Sequence, residues 1–170
     1  MSEYKEILPS EFTCNPFTSF SNDRPLLSAS KDGKSNTMTI GWGFMGVMWS
    51  KNVVTVAVRP QRYTIDFINS SDTFSVSFFD ESYKDKLTYC GRTSGRDEDK
   101  IKKCGFTEYS ENDAPCFKEA KLTIVCKKLY CQQLDENLFI DKSICDKNYP
   151  EKDYHFMYTG EIIKIIKKED

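Results

Sequence analysis

Six residues separate Gly46 from the β-branched run Val53-Val54-Thr55-Val56-Ala57-Val58, and that gap limits what the chain can fold into. Gly41-Trp42-Gly43-Phe44-Met45-Gly46 satisfies the G-x-G-x-x-G pattern of a dinucleotide-binding turn, with Asp66 about twenty residues further on. In that architecture the last glycine opens a helix whose N-terminus holds a pyrophosphate. A crossover helix with its connections needs at least roughly ten residues. The doubly wound parallel sheet is therefore excluded, and the glycines need another explanation. Past the β-branched run comes a basic turn, Arg59-Pro60-Gln61-Arg62, and Tyr63-Thr64 then opens a helix. Polar groups, bare backbone and two arginines thus fall together, which suits a planar, phosphate-bearing ligand.

A chain of 170 residues is long enough to bury a core without staples and is expected to form one domain over 1–170. The net charge of −2, from 24 basic and 26 acidic residues, argues against a nonspecific nucleic-acid binder. Twelve Phe, nine Tyr and two Trp favour a β-rich core with flat surfaces for a ligand. The seven cysteines form no C-x-x-C, and one histidine leaves no metal-ligand spacing, so no metal site is expected. Cys126 and Cys131, five apart on a strand, point to opposite faces. Reduced thiols, a charged N-terminus without an apolar signal core and no membrane-length run describe a cytoplasmic protein with no membrane partner.

Strands are predicted at Leu26–Ser30, at about 37–44, at 53–58 and over Thr73–Phe79, where hydroxyl and apolar residues alternate. Lys31-Asp32-Gly33-Lys34 is a turn. A helix starts at Thr64 as N-cap, another at Ser82 with a capping-box start, and a third at Ser94, stopped by Gly105. Phe117–Ala120, Leu122–Gln132 and Tyr154–Ile166 read as strands, 137–146 as a helix and 167–170 as a solvated tail. Many strands with short interspersed helices indicate a closed or partly closed barrel.

Cys90-Gly91-Arg92-Thr93-Ser94-Gly95-Arg96-Asp97-Glu98-Asp99-Lys100 repeats the theme of glycine, hydroxyl and cation. With Asn36-Thr37-Met38-Thr39-Ile40-Gly41-Trp42-Gly43, Val58-Arg59-Pro60-Gln61-Arg62-Tyr63-Thr64 and Asp153-Tyr154-His155-Phe156-Met157-Tyr158-Thr159-Gly160-Glu161-Ile162, it resembles the flavin reductase-like family of FMN-binding split barrels, flavoredoxins included. The resemblance runs over roughly residues 25–165 in order and spacing. It implies a mainly β, six-stranded Greek-key split barrel with a few short helices, a homodimer, and FMN near the subunit interface.

By that resemblance Asn36, Thr37, Met38 and Thr39 run alongside the isoalloxazine, and Trp42 and Trp49 are candidates for an aromatic wall or for plain core. Arg59, Arg62 and Thr64 are phosphate candidates, because an arginine fork grips a phosphate by charge-assisted bonds. The alternative is a surface pair held by Asp66. Ser94, Gly95, Arg96 and Lys100 form a second donor set in a loop that closes over the flavin, or an ordinary capped turn. Cys90 precedes this loop and either approaches the ring or is inert core. His155, by resemblance, lies near the open flavin face, where the nicotinamide of NADH or NADPH would stack; a strand histidine is otherwise a satisfied polar group. The implied chemistry is hydride transfer from NAD(P)H to FMN and onward to a small or protein acceptor. A flavoredoxin-like carrier with a redox protein partner is the other reading. The Arg-Pro-x-Arg-Tyr-Thr turn departs from the Ser-x-x-Pro-Pro type of two-component monooxygenase reductases.

Overall fold

The computed structural model describes residues 4–169. The first three residues of the charged N-terminus and Asp170 of the predicted tail lie outside the described residues. The chain runs β1 (Tyr4–Ile7), α1 (Pro16–Ser21), β2 (Leu26–Lys31), β3 (Lys34–Thr39), β4 (Gly43–Met48), β5 (Lys51–Val58), α2 (Thr64–Ser70), β6 (Thr73–Phe78), α3 (Lys84–Arg92) and α4 (Lys100–Lys103). It continues through β7 (Glu108–Glu111), β8 (Ala114–Phe117), β9 (Leu122–Gln133), α5 (Ser143–Asn148) and β10 (Phe156–Lys168).

The mainly β class with few short helices is as the sequence indicates, and the main sheet carries eight strands rather than six. Its order is β3-β2-β6-β9-β10-β5-β4, with β1 joined to β10, and every pairing is antiparallel. β7 and β8 form a separate hairpin. β10 is the spine: one edge pairs with β9 throughout, while the other pairs first with β5 and then with β1.

Alternation places one face of each strand inside. Leu27 and Ala29, Val54, Val56 and Val58, Phe74, Val76 and Phe78, and Ile124 and Cys126 share one buried cluster with Phe20 of α1 and Ile65, Phe67 and Ile68 of α2. Fully burying each large apolar side chain is worth about 1.5–3 kcal/mol. A second cluster, built from Leu26, Phe79, Leu87, Cys90, Cys104, Phe106 and Phe117, gathers α3 and the end of α4 on the outer side of the sheet, where both helices lie against β3. That packing sets the position of the residues that follow α3.

The sequence misplaces several elements for identifiable reasons. The predicted strand at 37–44 is two strands broken at 40–42, and the second of them, β4, turns into β5 at Trp49-Ser50. Both turn residues have positive φ, 53° and 57°, without the glycine or asparagine that announces such a hairpin. Asp32-Gly33 does carry that signature and makes the expected tight turn, at φ 50° and 72°. Gly43 proves to be a packing residue: a Cβ there would lie 2.7 Å from the Phe20 ring and 2.8 Å from the Thr55 carbonyl oxygen.

The helix starts also shift. Tyr63, not Thr64, caps α2, and a 3-10 turn over 81–83 precedes α3, whose cap Tyr83 makes no side-chain bond. Asp99 caps α4 by accepting from the Lys102 N–H at 3.0 Å, while Ser94 only closes a turn to the Arg96 N–H. Gly105, at φ 64°, ends α4 as expected. The Phe117–Ala120 strand lies instead at Ala114–Phe117, paired to an unforeseen β7. The 137–146 helix is a 3-10 turn at 136–138 followed by α5. Lys167 and Lys168 are not a solvated tail but pair with β1. No helix among the described residues is long and apolar enough to cross a membrane.

Candidate functional site

β5 delivers Val58 to the sheet's end, and Pro60 and the turn bonds Arg62 N–H to Arg59 carbonyl and Ile65 N–H to Arg62 carbonyl fold the chain back into α2. Opposite this turn stands the segment joining α3 to α4. Between them opens a cleft of about 450 Å³, floored by Met38 and walled by Arg59, Arg62 and Thr64 on one side and by Ser94, Gly95 and Lys100 on the other. Seven of the residues singled out in the sequence are thereby brought to one place. The cleft also takes in Gln61, Tyr63, Arg92, Thr93 and Asp153, which the sequence reading gave no role. Arg92 sits inside the glycine, hydroxyl and cation segment, and Asp153 two residues before the histidine. Both signals were present in segments already in view.

The charge balance of this cleft is uneven. Arg59, Arg62, Arg92 and Lys100 face a single carboxylate, Asp153, which accepts from Arg59 Nη1 at 2.5 Å and from Gln61 Nε2 at 2.7 Å. Those two donors hold the Asp153 carboxyl below the usual carboxylate range. Lys100 is 4% exposed and donates to the Cys90 carbonyl at 3.0 Å, with no carboxylate partner among the described residues. Burial, reinforced by the nearby Arg62, lowers its pKa. A buried cation without a counter-charge is costly, and an anion entering the cleft relieves that cost. Since α2 has only seven residues, these side chains and not a helix end make the site anionophilic.

Neighbouring residues hold the walls in register. Asn36 Nδ2 donates to Thr64 Oγ1 at 2.9 Å, tying β3 to α2. A Cβ on Gly95 would fall inside the contact shell of the Asn36 amide oxygen and 3.0 Å from the Tyr63 ring, so the loop backbone seats directly on both. Arg62 Nη1 donates to the Gly91 carbonyl at 3.0 Å, bridging the two walls. Arg96 lies outside the cleft as a strap: its guanidinium stacks over Tyr63 at 4.6 Å and pairs with Asp66 at 3.2 Å. Asp66 is thus engaged by Arg96 and not by Arg59 or Arg62.

The other candidates stand apart from the cleft. Thr37 is buried, accepting from Ser28 Oγ at 2.9 Å and donating to the Leu27 carbonyl at 3.2 Å, so its side chain serves the β2–β3 pairing. Thr39 Oγ1 donates to the Leu87 carbonyl and fastens α3 to β3. The Cys90 thiol faces Cys104 in the core, its pKa raised to about 12 mainly by burial; only its carbonyl serves the site. Trp49 belongs to the exposed β4–β5 turn, edge-on to Tyr130.

His155 is buried beside the cleft, with Nδ1 2.8 Å from the Tyr149 hydroxyl and its ring 4.9 Å from the half-exposed Trp42. Burial, with Arg59 adding to it and Asp153 opposing, lowers the His155 pKa to about 4, so the imidazole is neutral near pH 7. Arg59 itself bridges to the aromatic group, lying 5.1 Å over the Tyr149 ring. Tyr149 carried no signal in sequence, and the Tyr154 ring beside it lay in the histidine motif without an assigned role. Among the described residues no group of His, Cys, Asp or Glu could hold a metal ion.

The fold that carries this cleft has counterparts among known proteins. The profile of the flavin reductase like domain matches residues 12–169. The chain belongs to the flavin reductase-like family. A flavoredoxin from Methanosarcina acetivorans is similar at 26% identity and a TM-score of 0.67, over 83% of this chain and 66% of that one. The flavoredoxin of Desulfovibrio vulgaris shares the fold at 21% identity and TM-score 0.68, covering 98% and 77%. An FMN-binding domain of a flavin reductase-like enzyme from Shewanella baltica does so at 16% identity and TM-score 0.69, covering 98% and 78%. This flavin reductase-like chain therefore spans just under two thirds of the first of these relatives. No curated protein sequence matches it.

Proposed function

We propose that the cleft binds FMN and that this flavin reductase-like protein is an FMN-dependent oxidoreductase using NADH or NADPH. The observation that carries the reading is the buried, carboxylate-free Lys100 among three arginines, a setting that suits the phosphate of FMN. Arg59, Arg62 and Lys100 would hold that phosphate, with Ser94 and the bare backbone at Gly95 beside them. FMN held there would supply the redox chemistry, accepting hydride from NADH or NADPH for onward transfer to a small or protein acceptor. The chain's own part is to bind, orient and exclude water. His155, neutral and fixed through Tyr149, offers a hydrogen bond without adding charge, and Trp42 offers a half-exposed flat face. A cytoplasmic setting fits the seven free cysteines.

The test is the visible spectrum of the purified protein, followed by NADH or NADPH without oxygen. Flavin bands that bleach support the oxidoreductase. The flavoredoxin from Methanosarcina acetivorans favours a second reading, an electron carrier, which bands that persist would support. A colourless protein that FMN cannot reconstitute ends both. We also propose a homodimer. Edge strand β4 and its turn expose Phe44, Val47, Met48 and Trp49, with Val47 75% and Trp49 54% exposed, an apolar patch on an unpaired strand edge.

A further inference from the structure

Both ends of the segment that forms one wall of the cleft carry a cysteine. Cys90 lies in the last turn of α3 and Cys104 directly after α4, both are buried, and their sulfurs are 3.7 Å apart. Between them lie Arg92, Ser94, Gly95 and Lys100, and Lys100 rests on the carbonyl of Cys90 itself. We propose that Cys90 and Cys104 form a disulfide under two-electron oxidation by hydrogen peroxide, and that this bond resets the cleft-lining loop.

The chemistry balances with peroxide as the only co-reactant. The Cys104 sulfur, slightly more exposed, attacks one peroxide oxygen, the O–O bond breaks, and water leaves with the thiol proton. The Cys90 sulfur then displaces the oxygen from the resulting sulfenic acid, giving the S–S bond and a second water. Two thiols lose two electrons and two protons, and peroxide is reduced to two waters. Bonded sulfurs stand about 2.05 Å apart, so α4 must move toward α3. The loop has little slack for that motion, because Gly95 already seats on Asn36 and Tyr63 and Arg62 grips the Gly91 carbonyl. The shift disturbs the seat of Lys100 and weakens anion binding. Burial holds the Cys90 thiol protonated, so the pair reacts when the loop opens, and a bound anion that keeps the loop closed slows the reaction.

The binding part of this inference rests on the proposed FMN site; the disulfide does not. The experiment uses the full chain carrying Cys14→Ser and Cys131→Ser, which removes the two exposed thiols, with and without FMN, treated with hydrogen peroxide. The expected result is a loss of two hydrogens in mass, a peptide linking Cys90 to Cys104, and slower amide exchange across residues 91–103. FMN affinity should fall about tenfold, recover with dithiothreitol, and be untouched by peroxide in an added Cys104→Ala variant. FMN present during treatment should slow the linkage. Oxidation that never links these two residues overturns the site. Linkage with unchanged exchange and unchanged FMN affinity overturns its effect on the loop. A protein that takes up no FMN before oxidation counts against the flavin reading, and mass and exchange then decide the disulfide by themselves.

Discussion

Lys100 keeps its ammonium on the Cys90 carbonyl with no carboxylate partner among the described residues, so the cleft holds a charge that folding alone does not want. Burying an ammonium without a counter-charge carries a desolvation cost that an apolar side chain of similar length does not. Lys100→Met is therefore expected to leave the melting temperature unchanged or higher while FMN affinity falls at least about tenfold. A lower melting temperature with full FMN affinity would show the lysine to be a structural strut. Removing both Arg59 and Arg62 as alanines should weaken FMN by about two orders of magnitude, read from flavin fluorescence on titration. His155 gives a pH signature. Unfolded, it takes up a proton near 6.5, and folded only near about 4. Between those values the unfolded chain binds the extra proton, so stability is fully present above the window and declines as pH falls through it. As the only histidine in the chain, its replacement by glutamine should flatten the urea midpoint across that window. An unchanged slope would assign the effect elsewhere.

At the level of elements, the turns account for much of what was and was not legible. Asp32-Gly33 announces its hairpin, and the alternation in Thr73–Phe78 announces β6. The Trp49-Ser50 turn hides because neither residue is one that tolerates positive φ cheaply, a cost of about 1–2 kcal/mol each. Trp49→Asn with Ser50→Gly should therefore raise the monomer's unfolding free energy by about 1 kcal/mol or more in denaturant melts. No gain would mean that the native pair recovers the strain through contacts such as Trp49 with Tyr130. The clustered motifs singled out Arg59, Arg62, Ser94, Gly95 and Lys100, which line the cleft, because short-range patterns mark loops that gather polar groups. Thr37, Cys90 and Arg96 carried the same local pattern yet point into the sheet, the core and the outer strap. Which way a side chain faces depends on α3 packing against β3, and that long-range contact leaves no local trace.

Over the whole molecule, the exposed apolar edge of β4 is the feature on which the proposed dimer rests. Sedimentation is expected to give a dimer, and Val47→Glu a monomer with the same far-ultraviolet spectrum; a wild-type monomer at every concentration would remove the interface. The strand order was less legible than the strands, since no local pattern says that β9 and β10 stand between β6 and β5. That order has a consequence during synthesis. Val58 of β5 waits for Phe156 of β10, so a growing chain carries a finished β5 with one bare edge until nearly all of the described chain has emerged. β6, already paired with β2 on one side, waits in the same way for β9 on the other. The nascent protein can form its early hairpins but cannot join the two halves of its sheet, and the window of exposure to wrong strand partners lasts from the emergence of β5 until that of β10.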